Sequence, residues 1–455
     1  MSGGIKRMSL AHAKRFFERL VADPHFQKAL EQDPYRTCEK YGIEVDPYAL
    51  KPLWEKEPTK PLDDERDLSN YPLLAELREF HRSFSYEAFF DRARSAKDSR
   101  YRSWRERQVA RCRSQLAEPI SKNIAHLTAS FELSKGCSGG CWFCAFDPEP
   151  LRAVFEYSTE NRKLWRDILE TVQDILGPAA GASMCYWATE PLDNPDYERF
   201  CLDFFDILGV FPPITTAKAA EDATRTRRLM DLNRRRHGRF PVFSVASLKD
   251  LDVIHKAFSA EELLHTLLAL HNRESRAYFT LSGRAMRGAR KKLSREVNFY
   301  EGATTACVSG FLLNMVEKSV KLITPCIPDE KWPLGYRTYG VTAFSAARDL
   351  KSIILDMMET YMPVRLRETD TVKFRSDLTY RETEDGFEVS TPFKVHVFRN
   401  HPYIKELGEI IHRGDRTASD ILSLFQFFSA PKENVLDSLE LIFREGLLCE
   451  ESVTR

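Results

Sequence analysis

Apolar residues recur at helical spacing near both ends of the chain, whereas its middle alternates short apolar runs with amphipathic helical stretches. Ser9 can cap a helix over Leu10–Val21, and a second helix follows Asp23-Pro24. Pro52–Asp67 is rich in proline and charge and reads as a linker. From about Ala129 the pattern predicts alternating strands and helices, the signature of a parallel sheet or barrel with its chemistry at the C-terminal strand ends. The predicted strands are Ala129–Leu133, a second within Ala182–Pro195, Ile214–Thr216, Phe240–Ser247, Thr304–Ser309 (preferred to Ala277–Leu281 as the fifth) and Val320–Cys326, with helical segments over about Ala260–Glu296. Beyond Pro363 the period changes again. Thr371–Tyr380 and Gly386–Phe398 alternate as a small antiparallel sheet would, and helical segments follow at Gly408–Leu422, Pro431–Phe443 and Glu445–Leu448, with Thr417 as an N-cap. Four units result: a helical region over 1–60, a linker and helical lead-in over 61–125, the strand–helix unit over 126–365 and a terminal unit over 366–455.

The 455 residues, 43% of them hydrophobic, suffice for two or three domains with real cores. Sixty-seven basic and 67 acidic residues balance, which removes the global field that drives non-specific nucleic-acid binding. Basic runs at Arg225–Arg228, Arg234–Arg236 and Arg284–Lys292 read as solvated helix faces or as contacts for an acidic peptide. No run of about 18 apolar residues and no signal-peptide pattern stand in the sequence, so a cytoplasmic protein without a membrane partner is expected. Only Lys432 supplies a positive charge along Pro431–Phe443, so a nucleic-acid partner is not expected there.

One segment changes this picture. Cys137, Cys141 and Cys144 form a CxxxCxxC motif closing the apolar run of the first strand. Three thiolates on a short loop can hold three irons of a 4Fe–4S cluster and leave the fourth iron open to a cofactor. Gly136, Gly139 and Gly140 let the backbone curl around the sulfurs and turn N–H groups toward an anionic cluster. A zinc knuckle is the alternative, but zinc normally takes four ligands and no fourth Cys or His follows nearby. The other seven cysteines are scattered, without the pairing of a disulfide framework.

This motif, with Trp142 and Phe143 before its last cysteine, resembles the radical S-adenosylmethionine (radical SAM) superfamily. The resemblance implies a 4Fe–4S cluster on Cys137, Cys141 and Cys144, S-adenosyl-L-methionine on the open iron, an electron donor such as flavodoxin or ferredoxin, and a deoxyadenosyl radical that takes hydrogen from substrate. It also implies an α/β fold: a partial (β/α)6 radical SAM barrel, here with an N-terminal helical region and a C-terminal winged helix-turn-helix-like domain. Phe143 matches the position beside the adenine. Ala188-Thr189-Glu190-Pro191 stands where the family usually has Gly-Gly-Glu-Pro, which makes Thr189 and Glu190 candidates for the methionine end, although both glycines are replaced. Ser244 and Ser247, at a strand mouth, match polar contacts to the ribose or carboxylate. The single cluster motif lacks the C-terminal cysteine array of auxiliary-cluster enzymes.

The N-terminal phrases Met8–Phe17 and Tyr41–Asp46 are similar to leader regions of ribosomally made peptides of the nitrile-hydratase-like and nitrogen-fixation kinds; an ordinary helical cap is the alternative. The terminal unit resembles the PqqD-like winged helix-turn-helix that recognises leader peptides by strand addition, with a structural cap as the alternative. Together with Thr324-Pro-Cys-Ile-Pro328 and Trp332–Tyr336, these features resemble the peptide epimerases that mature proteusin-type natural products. That likeness implies an isomerase converting L-residues of a ribosomal precursor peptide, leader and core, to D-residues by α-hydrogen abstraction, with Cys326 as hydrogen donor and Cys307 as its competitor. A donor thiol has to be protonated and shielded. Excision or cross-linking of a peptide, or peptide binding without catalysis, are the other readings.

Overall fold

A computed structural model describes residues 2–55, 67–84, 87–290, 299–427 and 431–450. Of the linker read at Pro52–Asp67, residues 56–66 lie outside the described residues, as do Lys291 and Lys292 of the last basic run.

The chain begins with α1 (Ser2–Ala22), α2 (Pro24–Gln32) and α3 (Pro34–Lys40), followed by a 3₁₀ turn over Pro47–Leu53. Asp23 and Asp33 cap the second and third helices, each with proline at the first helical position, where its missing N–H costs nothing. Phe16, Leu20, Phe26 and Leu30 share a core with Leu50 and Leu53. Then come α4 (Pro72–Arg82), α5 (Glu87–Arg94), α6 (Ser99–Gln115) and α7 (Glu118–Asn123). The N-terminal helices do not stand apart. Arg15 donates to Phe258 O at 2.7 Å, Arg19 pairs with Asp252, and Asn272 donates to Ala22 O at 2.8 Å.

Next, β1 (Leu127–Glu132) leads through the two-residue ribbon β2 (Ser134–Lys135) and β3 (Ala153–Val154) into α8 (Thr159–Leu176). Helix α8 starts at Ser158, whose hydroxyl accepts from Asn161 N, and stops at Gly177 with φ +62°. Its Trp165, Ile168, Leu169, Val172 and Leu176 recur on one face and cover Phe131 of β1. Then follow β4 (Ser183–Met184), α9 (Tyr197–Leu208), β5 (Thr215–Thr216), α10 (Ala223–Arg235), β6 (Val242–Val245), α11 (Leu248–Ala257), α12 (Ala260–Leu263), β7 (Leu267–Leu270) and α13 (Gly283–Arg290). Strands β1 and β4 pair in parallel, as do β5, β6 and β7 in a second sheet. Strands β8 (Val308–Asn314), β9 (Ser319–Pro325) and β10 (Tyr336–Ala343) extend the first sheet in the order β10-β9-β8-β1-β4, before α14 (Ala347–Tyr361). The unit is mixed α/β, with several sheets and no closed barrel among the described residues.

Three expectations need correction. Glu445–Leu448, read as helical, is a turn after the last helix that ends in a bridge between Leu448 and Phe374. Residues 260–296, read as helical, contain β7, because Leu267–Leu270 pairs in register with Val242–Val245. The predicted sixth parallel strand, Val320–Cys326, is instead the second arm of an antiparallel hairpin with β8. Asn314 turns the chain: its Oδ1 accepts from Val316 N (3.1 Å) and Glu317 N (2.9 Å), and Lys318 takes φ +50°. Since β8 runs parallel to β1, β9 ends where β1 begins. The side chains agree: Thr324 Oγ1 lies 3.1 Å from Ser309 Oγ, which lies 2.8 Å from the ring of His126, the residue before β1.

The terminal unit is a three-stranded antiparallel sheet, β11 (Thr379–Thr383), β12 (Gly386–Ser390) and β13 (Val395–Arg399), followed by α15 (Ile404–Arg413), α16 (Ala418–Phe427) and α17 (Lys432–Arg444). It has its own core, in which Gly408 of α15 lies against the Phe387 ring; a Cβ there would stand 2.4 Å from it. The unit docks on α6. Arg107 lies 4.1 Å over the Phe443 ring and pairs with Glu450 at 2.7 Å, and His396 meets Ser114 Oγ at 3.2 Å. No helix among the described residues is long and apolar enough to cross a membrane.

Candidate functional site

The cysteine loop leaves the C-terminal end of β1 and is held from three sides. Gly136, at φ +79°, brings the chain against the returning strand, where Cys137 N donates to Glu149 O at 3.0 Å; a Cβ on Gly136 would meet Pro150 O at 2.3 Å. Ser138 N donates to Asp193 Oδ2 at 2.9 Å, beyond β4, and Asp193 pairs with Lys218 beyond β5. Trp142 Nε1 donates to Ala246 O at the end of β6 (3.3 Å). From α13, Arg284 N donates to Cys144 O (2.9 Å) and its guanidinium to Cys141 O (3.3 Å) and Pro148 O (3.0 Å). The loop therefore sits at the C-terminal ends of β1, β4, β5 and β6, where a parallel sheet presents its chemistry.

All three thiols are partly exposed. Burial pushes the Cys137 thiol up, and that of Cys141 up to about 12; Glu190 and neighbouring thiols add to this. Among the described residues no group of three or more His, Cys, Asp or Glu side chains is arranged to hold a metal ion. The donor chemistry nonetheless fits an iron–sulfur cluster: three thiols share one loop, and Gly139 leaves the space beside two of them bare, since a Cβ there would lie 3.5 Å from the sulfurs of both Cys137 and Cys141. Gly140, at φ +60°, has nothing within 4 Å of its Cβ position.

Glu190 follows β4 and is buried. Its Oε1 accepts from Thr216 Oγ1 (2.5 Å) and Leu192 N (3.2 Å), and its Oε2 from Ala217 N (2.8 Å). Burial raises its pKa, against the pull of these hydrogen bonds. Thr189 stands beside it, partly exposed. Phe143 stacks on His271, at the end of β7, with centroids 4.1 Å apart. Ser244 lies within β6, opposite Ala269. Ser247 has a structural duty as N-cap of α11, accepting from Asp250 N at 3.2 Å and donating to Asp250 Oδ2 at 2.8 Å.

The structure adds two residues that no local motif marks. Glu132, the last residue of β1, is half-buried; it accepts from Ala188 N (3.0 Å) and Asn314 Nδ2 (3.1 Å), and desolvation pushes its pKa up. His271 is held down to about 4 by burial, and its Nδ1 is buried with no hydrogen-bond partner. Both owe their places to tertiary contacts; the only sequence signal is that each ends an apolar run.

Cys326 is buried, and burial raises its thiol to about 12. Its expected level with the cysteine loop is not what the hairpin produces. Arg111 and Cys112 of α6 both reach Pro325 O, and Arg111 and Arg337 are the cations that act on the thiol. The chain beyond it does approach the loop: Cys326 N donates to Gly335 O, and Pro333 O accepts from Gly283 N beside Cys144 and Ala145. Cys307, before β8, is likewise raised to about 12 by burial. It borders the apolar cluster of Met184, Trp187 and Ile323, and Trp187 stacks on Phe146 just beyond Cys144 at 4.4 Å.

The chain is similar to a Sinorhizobium fredii protein described as "Uncharacterized protein y4wI": 33% of 460 residues are identical, spanning 98% of this chain and 88% of that one. No known family profile matches the chain, and no solved structure matches it.

Proposed function

The chain belongs to the family of that rhizobial protein, and from this premise we propose that it is a radical SAM enzyme acting on a ribosomal precursor peptide. The observation that carries the reading is the cysteine loop: three thiols gathered by left-handed glycines at the C-terminal ends of four parallel strands, with the Glu190 carboxylate beside them. Cys137, Cys141 and Cys144 would hold a 4Fe–4S cluster, and Glu190, Thr189, Phe143 and Ser244 would face S-adenosylmethionine. When bound, these groups supply one-electron hydrogen-atom abstraction. The chain's own contribution is to fix the loop through Asp193 and Arg284 and to cover it with Trp142, Phe143 and His271.

Peptide recognition is supported by β13, an edge strand on which Val395 and Val397 are 57% and 49% exposed. Such an edge accepts an added strand, with apolar side chains giving selectivity. The finer reading is epimerisation of L-residues to D-residues. It is supported by thiols that burial keeps protonated, as a hydrogen-atom donor requires. Cys326 is the donor the resemblance implies, and Cys307 borders the cluster that reaches the loop. Anaerobic loading with iron and sulfide, followed by reduction with dithionite in the presence of S-adenosylmethionine, tests the broader reading. Deoxyadenosine should form in the wild type and not in Cys141→Ala; a folded, iron-loaded protein that forms none would leave peptide binding as the function.

A further inference from the structure

The geometry points to a second site, at the opposite end of β1 from the cysteine loop, that binds a phosphate-type dianion. A cavity of about 250 Å³ opens there between α5, α6 and α7; its wall carries Arg94 and Lys122, paired with Asp91 and Glu118, and Arg105 and Arg113 beside the one lining carboxylate, Glu106. This is smaller than a drug-sized pocket and suits a small anion or the phosphoryl end of a larger one.

His126 makes the cavity a built site. It is 3% exposed, takes φ +47°, lines the cavity, and its buried Nε2 has no hydrogen-bond partner. A relay sets which way that nitrogen works. Arg111 Nη2 can only donate, and it donates to Thr324 Oγ1 at 3.2 Å. Thr324 then has its own proton for Ser309 Oγ (3.1 Å), and Ser309 has its proton for His126 Nδ1 (2.8 Å). The assignment that gives each hydroxyl proton an acceptor makes Nδ1 the acceptor and puts the hydrogen of the neutral ring on Nε2. Burial and the nearby Arg105, Arg111 and Arg113 hold the ring pKa well below its usual value, so it is neutral at ordinary pH. An unmet N–H donor in a cationic cavity is matched by an anionic acceptor, and a buried donor left unmatched is costly.

Arg105 is pre-set for the same task. Its Nε donates to His126 O (3.0 Å) and its Nη2 to Ala125 O (3.3 Å), which locks the guanidinium against the cavity floor.

The test is calorimetric titration of the full chain with inorganic phosphate at constant ionic strength in chloride, repeated with adenosine monophosphate. Saturable phosphate binding is expected, about tenfold weaker in Arg113→Ala and in His126→Gln. Arg113 is exposed, so its variant keeps the fold even if the His126 variant does not. Competition by adenosine monophosphate would identify a phosphoryl ligand, and its failure to compete would identify free phosphate; both support the site. Phosphate heats no larger than those of chloride, or binding unchanged in a folded Arg113→Ala protein, would overturn it.

Discussion

Replacing Gly136 by alanine should cost the protein its cysteine loop, whereas the same change at Gly140 should be tolerated. Both glycines have left-handed backbones, at φ +79° and +60°. Alanine pays roughly 1–2 kcal/mol in that conformation. At Gly140 nothing lies within 4 Å of the new methyl, so the cost ends there. At Gly136 the methyl would fall 2.3 Å from Pro150 O and 2.8 Å from Glu149 O, backbone atoms that no rotamer can move. The loop has to shift, and the Cys137 N to Glu149 O bond at 3.0 Å is lost, worth about 1 kcal/mol. Overlap included, roughly 3 kcal/mol or more is at stake, about a hundredfold bias against the native loop. Iron and sulfide per chain after anaerobic loading, alongside the melting temperature, read the difference. Gly136→Ala should retain little iron and Gly140→Ala most of it. Equal iron in the two variants would refute the argument that the backbone cradle shapes the site.

The pH dependence of stability should carry a signature of His396, whose ring pKa is lowered from 6.5 to about 4 by burial, with Lys394 and Arg375 adding to it. A depressed pKa means the unfolded chain takes up the proton first, so this stability is complete above about 6.5, falls with pH and is gone near 4; His396→Gln should flatten that decline in urea titrations across the window. Gly408→Ala, which drives a methyl to 2.4 Å from the Phe387 ring, should destabilise the terminal unit by about 1–3 kcal/mol and raise its susceptibility to limited proteolysis, with the cysteine loop unaffected. Arg284→Ala removes the guanidinium bonds to Cys141 O and Pro148 O and the pair with Asp147, so loaded iron should be lost several-fold faster to a chelator, while the fold survives.

The cysteine loop was legible because its chemistry is local: three thiols and three glycines lie within nine residues. The first strand was legible for a similar reason, an apolar run ending at the motif, and β1 begins only two residues before the predicted start. The hairpin of β8 and β9 was not. A run such as Val320–Pro325 reads alike in either direction, and what reverses it is Asn314 accepting two backbone N–H groups, a detail of three residues. The same reversal moved Cys326 from the mouth of the sheet to the neighbourhood of α6. Helix α6 was the least legible element, since its buried Arg105, Arg107, Gln108 and Arg111 break the apolar-in rule. Their partners, Glu450, Thr324 and backbone carbonyls around His126 and Pro325, lie 20 to 343 residues away. Ser247 shows the converse: a hydroxyl at a strand mouth suggested a ligand, and the structure gives it the further duty of capping α11, which the strand pattern alone did not show.

The central claim is tested most directly by anaerobic turnover of a co-expressed precursor peptide in deuterated water, with wild type, Cys326→Ala and Cys307→Ala compared by mass and chiral amino-acid analysis. The account predicts deuterium at the α-carbons of D-residues, lost in one of the two variants while deoxyadenosine still forms. D-residues without solvent deuterium, or peptide altered by excision or cross-linking with no α-deuteration, would contradict it.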